Sequence, residues 1–125
     1  MRTILILLVT SITFVSCQEQ RMNKPNQLYT LGNWTTKVGN EQAFITEWEK
    51  FAKWTAQHQK GAGVGNLLQD PDHPQQFVSF GPWDSPEAIK AWREQPEFKA
   101  FVSKVRDLCE DFQPRNLVLV ASSAN

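Results

Sequence analysis

The stretch that most limits what this chain can fold into is Gly81–Val105, GPWDSPEAIKAWREQPEFKAFVSKV. It carries two helix starts in succession. Ser85 stands where an N-cap belongs, Pro86 at the first helical position and Glu87 in the first turn, and Gln95, Pro96 and Glu97 repeat the pattern. A single continuous helix is excluded, because Pro96 has no N–H to give and its ring clashes with the turn before it. The segment therefore predicts a short helix over Ser85–Glu94 and a longer one over Pro96–Asp111, entered from a strand at Gln76–Phe80 through a turn at Gly81-Pro82. Trp83 and Trp92 flank the short helix.

The rest of the chain supplies the partners these helices need. Leu28–Thr36 alternates and is rich in β-formers, so it predicts a strand with Tyr29, Leu31, Asn33 and Thr35 on one face and Thr30, Gly32 and Trp34 on the other. After a turn at Lys37–Gly39, Asn40 is placed to cap a helix over Glu41–Gln59 whose stripe is Phe44, Trp48, Phe51, Ala52 and Thr55. Gly61-Ala62-Gly63 offers left-handed positions for a helix stop, Gly63–Gln69 predicts a second strand, and Asp70–Pro74 a hairpin loop. In the long helix Phe98, Phe101, Val102, Val105, Leu108, Cys109 and Phe112 form an apolar stripe. Gln113–Arg115 predicts a turn, and the apolar run Leu117–Ala121 a last strand buried on both faces. The order β-α-β-β-α(α)-β is the ferredoxin-like arrangement, an α+β fold with a four-stranded antiparallel sheet and helices on one side. The other side, to which Trp34 and the last strand are assigned here, needs cover.

Thirteen basic and thirteen acidic residues cancel, which argues against nucleic acid or an anionic membrane surface as an electrostatic partner. Met1–Cys17 stands apart from the domain. Arg2 precedes the apolar run Ile4–Val15, too short to span a bilayer, and the segment ends Phe14-Val15-Ser16-Cys17. That ending resembles a bacterial lipobox, so Cys17 is the expected lipidation site; an ordinary secretory signal containing Cys17 is the alternative. Gln18–Gln27 is polar and aperiodic and is expected to tether the domain, residues 28–125, to the cell envelope, with the lipid as its one membrane contact. Lipidation leaves Cys109 as the single thiol, expected to be buried and inert.

Strong catalytic signatures are absent: no phosphate loop, no metal-ligand spacing, no nucleophile elbow. His58 near a helix end and His73 in the hairpin loop are read as solvated surface groups, with a general base as the alternative for either. Five Trp and eight Phe could line an aromatic pocket or supply core contacts.

The run FVSFGPWDSPEAIKAWREQPEF, with VGNEQAF ahead of the first helix, resembles the antibiotic biosynthesis monooxygenase family over about Leu28–Ala121. The resemblance implies a dimeric α+β barrel, made when two copies pair their bare sheet faces. It implies oxidation of a small aromatic or quinol-like compound by molecular oxygen, with no cofactor and no metal. It also implies Asn33 and Trp92 as hydrogen-bond donors to a developing oxyanion, beside a substrate site of Tyr29, Leu31, Ile89 and Trp83. Haem-degrading relatives ligate iron through a His on the following long helix, and Phe98–Val105 contains none. From the residues alone, Asn33 could instead satisfy loop backbone and Trp92 close the core. Two further functions stay open: a module that binds a small ligand without turnover, and a structural dimer whose cleft is filled by its own side chains.

Overall fold

The computed structural model describes residues 24 and 26–124, so Cys17 and the segment around it lie outside the described residues. The chain runs β1 (Leu28–Thr36), α1 (Glu41–His58), β2 (Asn66–Gln69), β3 (Gln76–Trp83), α2 (Pro86–Glu94), α3 (Pro96–Leu108) and β4 (Cys109–Val118). The four strands form one antiparallel sheet in the order β2-β3-β1-β4, which is the expected ferredoxin-like α+β fold. Among the described residues no helix is long and apolar enough to cross a membrane.

The two helix starts are built as the sequence dictates. The Ser85 hydroxyl accepts from the Ala88 N–H at 3.1 Å, satisfying one of the donors a helix N-terminus leaves orphaned. Gln95, extended at φ −68° and ψ 141°, ends α2 and stands at the N-cap position of α3 without a side-chain cap bond, with Pro96 at the first turn of the new helix. Asn40 likewise makes no side-chain cap bond to α1.

Side-chain alternation decides which sheet face the helices cover. Gly32, Trp34 and Thr36 are buried beneath them. Trp34, only 4% exposed, packs on Phe44 of α1, on Phe101 of α3 and, at 3.8 Å between ring centroids, on Phe112 of β4. Trp34 therefore belongs to the core of its own chain and not to the bare face. Fully burying side chains of this size stabilises by about 1.5–3 kcal/mol each, so this aromatic cluster is the main apolar anchor between helices and sheet.

Four local expectations are corrected. Helix α3 stops at Leu108; Cys109 and Phe112 enter β4, and residues 113–115 are the middle of that strand rather than a turn. Pro114 is tolerated because β4 is an edge strand with β1 as its one ladder neighbour. Strand β4 is largely exposed within the chain, Leu117 at 40% and Val118 at 51%, instead of buried on both faces. Strand β3 runs through Gly81-Pro82 to Trp83, which a proline allows here because β2 pairs only as far as Phe80. Finally, β2 begins at Asn66, and Gly61 and Gly63 do not take left-handed backbone; among the glycines Gly39 alone has positive φ, at 88°. Those two glycines serve close packing: a Cβ would lie 2.6 Å from Ala88 Cβ at Gly61 and 2.5 Å from Pro82 Cγ at Gly63.

Candidate active site

Between the helices and the sheet lies a cavity of about 680 Å³, within the usual range for a small-molecule site. Its floor comes from β1 and β3, its walls from α1, α2 and α3. The walls are aromatic. Trp92 of α2 stands 4.8 Å from Trp83 and 4.7 Å from Phe98 between ring centroids, and lies nearly parallel to Phe51 at 5.6 Å. Arg93 and Arg106 also border the cavity, with Glu110 and Asp111, so its rim carries both signs of charge. The Arg93 guanidinium donates to Asn116 Oδ1 at 2.9 Å.

The polar groups inside are few and paired. The Trp34 indole N–H donates to Ser79 Oγ at 2.9 Å, Trp83 to Thr30 Oγ1 at 3.0 Å and Trp92 to Thr55 Oγ1 at 3.0 Å, and all six residues line the cavity. Each indole, a donor with no acceptor capacity, thus meets a hydroxyl that can accept and still donate.

Of the expected site residues, the structure brings Trp83 and Trp92 together at the cavity. Asn33 and Tyr29 do not line it: strand alternation turns them to the opposite, uncovered face of the sheet. Leu31 borders the cavity, yet its side chain follows the same alternation away from the helices. Ile89, at 1% exposure, is a core residue on the buried side of α2 and does not line this cavity. Trp92 has its N–H engaged with Thr55, so that donor does not stand free in the cavity. The residues that sequence reasoning missed are Thr30, Thr55 and Ser79. Thr55 carried a signal, since it is a hydroxyl placed within the apolar stripe of α1.

Neither histidine borders the cavity. His58 is exposed, with Nδ1 2.9 Å from the Trp54 carbonyl oxygen, and His73 is exposed beside Asp70. The backbone N–H of Asp72, and then His73, hold the Asp70 carboxyl below its ordinary value. Burial pushes the Cys109 thiol up to about 11, the Lys37 ammonium pulling weakly the other way. Among the described residues no group of three or more His, Cys, Asp or Glu converges as a metal site would need.

With this geometry in view, the chain compares with known proteins as follows. The family model described as antibiotic biosynthesis monooxygenase matches residues 28–104. SnoaB from Streptomyces nogalater, a cofactor-independent oxygenase, superposes with a TM-score of 0.73 at 18% identity, over 80% of this chain and 99% of that one. Protein SO0527 from Shewanella oneidensis gives 0.70 at 16% identity, over 78% of this chain and 96% of its own. Rv0793 from Mycobacterium tuberculosis gives 0.68 at 14% identity, over 78% and 99%. At these identities the structural likeness concerns the fold. No curated protein sequence matches the chain.

Proposed function

This chain belongs to the antibiotic biosynthesis monooxygenase family, and from that premise we propose that it oxygenates a small aromatic or quinol-like compound with molecular oxygen, without a cofactor. The observation that carries the reading is the aromatic cavity between helices and sheet, with Trp83 and Trp92 in its wall. In such chemistry the substrate loses a proton, and its anion passes one electron to oxygen. The radical pair joins as a C–O bond, and the resulting peroxide loses water to leave a carbonyl. One oxygen atom stays in the product and the other leaves in water. The protein's part is to hold the aromatic plane, stabilise the anion and keep bulk water out. Anthrone offered in an oxygen electrode should give one oxygen consumed per quinone formed. Trp92→Leu should raise KM about two- to tenfold, the worth of one aromatic contact. Binding without oxygen uptake would replace this reading by ligand capture without turnover. One observation favours that second reading: Asn33, the expected oxyanion donor, lies on the far face of the sheet.

Two features of setting complete the proposal. The protein is exported and anchored in the bacterial envelope through lipid on Cys17, supported by Arg2, the apolar run at residues 4–15 and Ser16 before the cysteine. Cys17→Ala should shift the protein from the membrane to the soluble fraction or leave an uncleaved precursor; mature protein without acyl mass would refute the anchor. The chain also works as a homodimer, its two uncovered sheet faces closing on each other as an α+β barrel. Leu31, Val78 and Phe80 on that face support this.

A further inference from the structure

The floor of the cavity holds an internal repeat. Strand β1 contains Thr30-Leu31-Gly32-Asn33-Trp34 and β3 contains Ser79-Phe80-Gly81-Pro82-Trp83: a hydroxyl, a glycine and a tryptophan at every second position. The antiparallel register sets these against each other, with Thr30 opposite Gly81 and Gly32 opposite Ser79. Each hydroxyl faces the other strand's glycine, and each tryptophan, two residues beyond that glycine, reaches back diagonally to the hydroxyl. The outcome is the pair of bonds Trp83 to Thr30 and Trp34 to Ser79, related by a local two-fold through the Leu31–Phe80 pair. Gly32 is required for one of them, since a Cβ there would lie 2.8 Å from Trp34 Nε1 and 2.9 Å from Ser79 Oγ.

From this we infer that Thr30 and Ser79 form a two-hydroxyl cradle that binds an anionic or keto oxygen of an aromatic ligand, with Trp83 and Trp34 as positioning residues acting through them. Three steps lead there. An indole can only donate, so the hydroxyl must accept from it, and rotation then leaves that hydroxyl's proton for another acceptor. Among the described residues neither Thr30 Oγ1 nor Ser79 Oγ donates to a protein acceptor, and both residues line the cavity. A hydroxyl already accepting a hydrogen bond is polarised into a stronger donor, an effect that grows in an apolar cavity. Thr55 with Trp92 repeats the arrangement from the α1 wall and adds a third donor of the same kind. The ligand class follows: an aromatic compound bearing a phenolate or keto oxygen, favoured over the same ring system with its oxygen protonated or removed.

The inference rests on the cavity being the ligand site, as proposed above, but not on turnover. The test uses alizarin, a hydroxyanthraquinone whose phenol and phenolate absorb at different wavelengths, titrated with pH in the presence of the protein. Binding should lower the dye's pKa. Thr30→Val and Ser79→Ala should each weaken phenolate binding roughly tenfold while changing phenol binding far less, as expected for hydrogen bonds to a charged acceptor. Thr30→Ser and Ser79→Thr should restore it, which separates a lost donor from a damaged fold. Trp83→Phe should reduce the pKa shift in the unaltered background and do nothing further in the Thr30→Val background, because it acts through that hydroxyl. Equal loss of phenol and phenolate in the hydroxyl variants, or additive effects of Trp83→Phe and Thr30→Val, would overturn the cradle. So would a dye that does not bind. A dye that binds with a lowered pKa in a protein that consumes no oxygen leaves the cradle standing and removes the oxygenase.

Discussion

Glycine 32 shows how tightly single residues are set in this cavity. An added methyl would sit 2.8 Å from the Trp34 indole nitrogen and 3.1 Å from Phe112, both held in the aromatic stack. Gly32→Ala is therefore expected to destabilise by about 1–3 kcal/mol, the usual cost of overpacking, seen as a lower urea midpoint. Cys109 gives a test in pH. Its folded-state value of about 11 lies above the ordinary 9.0, so its contribution to stability is full below about pH 9 and is lost as pH rises toward 11. Urea midpoints should fall over that window, and Cys109→Ala should flatten the part of the fall due to the thiol. Asn33 decides between sequence and structure as guides to the site. The family resemblance made it an oxyanion donor, and a lost donor of that kind costs roughly 10²-fold in rate. Its place on the uncovered face predicts instead that Asn33→Leu leaves oxygen uptake within about twofold. Alternation along β1 was legible in the sequence. Which of its two faces the helices would cover was not, because that depends on where α1 and α3 dock, and period two assigns residues to faces without naming the faces.

At the scale of elements, the signals that proved legible were those in which one residue's backbone chemistry permits a single outcome. Ser85, Pro86 and Pro96 fixed two helix starts, and Ser85→Ala should cost about 1 kcal/mol through the lost bond to the Ala88 N–H. Strand β1 was readable to its ends for a related reason: a nine-residue run rich in β-formers is bounded by turn residues. The illegible boundary was that between α3 and β4. Leu108, Cys109 and Phe112 continue a helical stripe in sequence, and the same three also fit a helix end followed by an alternating strand. Pro114 then looks like a turn residue until the sheet order makes β4 an edge, where a missing N–H is tolerated. Sheet order is a property of the assembled chain and leaves no mark on a single segment. The hydroxyl–glycine–tryptophan repeat was present in the sequence, but its meaning requires the β1–β3 register that sets each hydroxyl against a glycine.

At the scale of the molecule, the helices account for one face of the sheet only. Across the other face run rows of side chains set by the register: Leu68, Val78, Asn33 and Gln113 in one, Asn66, Phe80, Leu31 and Arg115 in the next. The apolar residues cluster on β2, β3 and β1, and Leu68 is 56% exposed in the single chain. In these two rows β4 contributes the polar Gln113 and Arg115. A surface of this kind suits a second copy of the chain, whose identical apolar rows can meet these while the polar edge stays near solvent. A stable association of that sort commonly buries about 800 Å² per partner. Light scattering on residues 18–125 should therefore give twice the chain mass at micromolar concentration. Val78 is the residue to challenge, because it is half-buried on this face and takes no part in the cavity. Val78→Asp would place an unpaired carboxylate between two sheets, and a desolvated charge without a partner is too costly for a modest interface to absorb. The variant should scatter as a monomer with an unchanged far-ultraviolet circular dichroism spectrum. A Val78→Asp protein that remained a dimer would move the interface to another surface, with the exposed Val64 and Val120 as the next places to substitute.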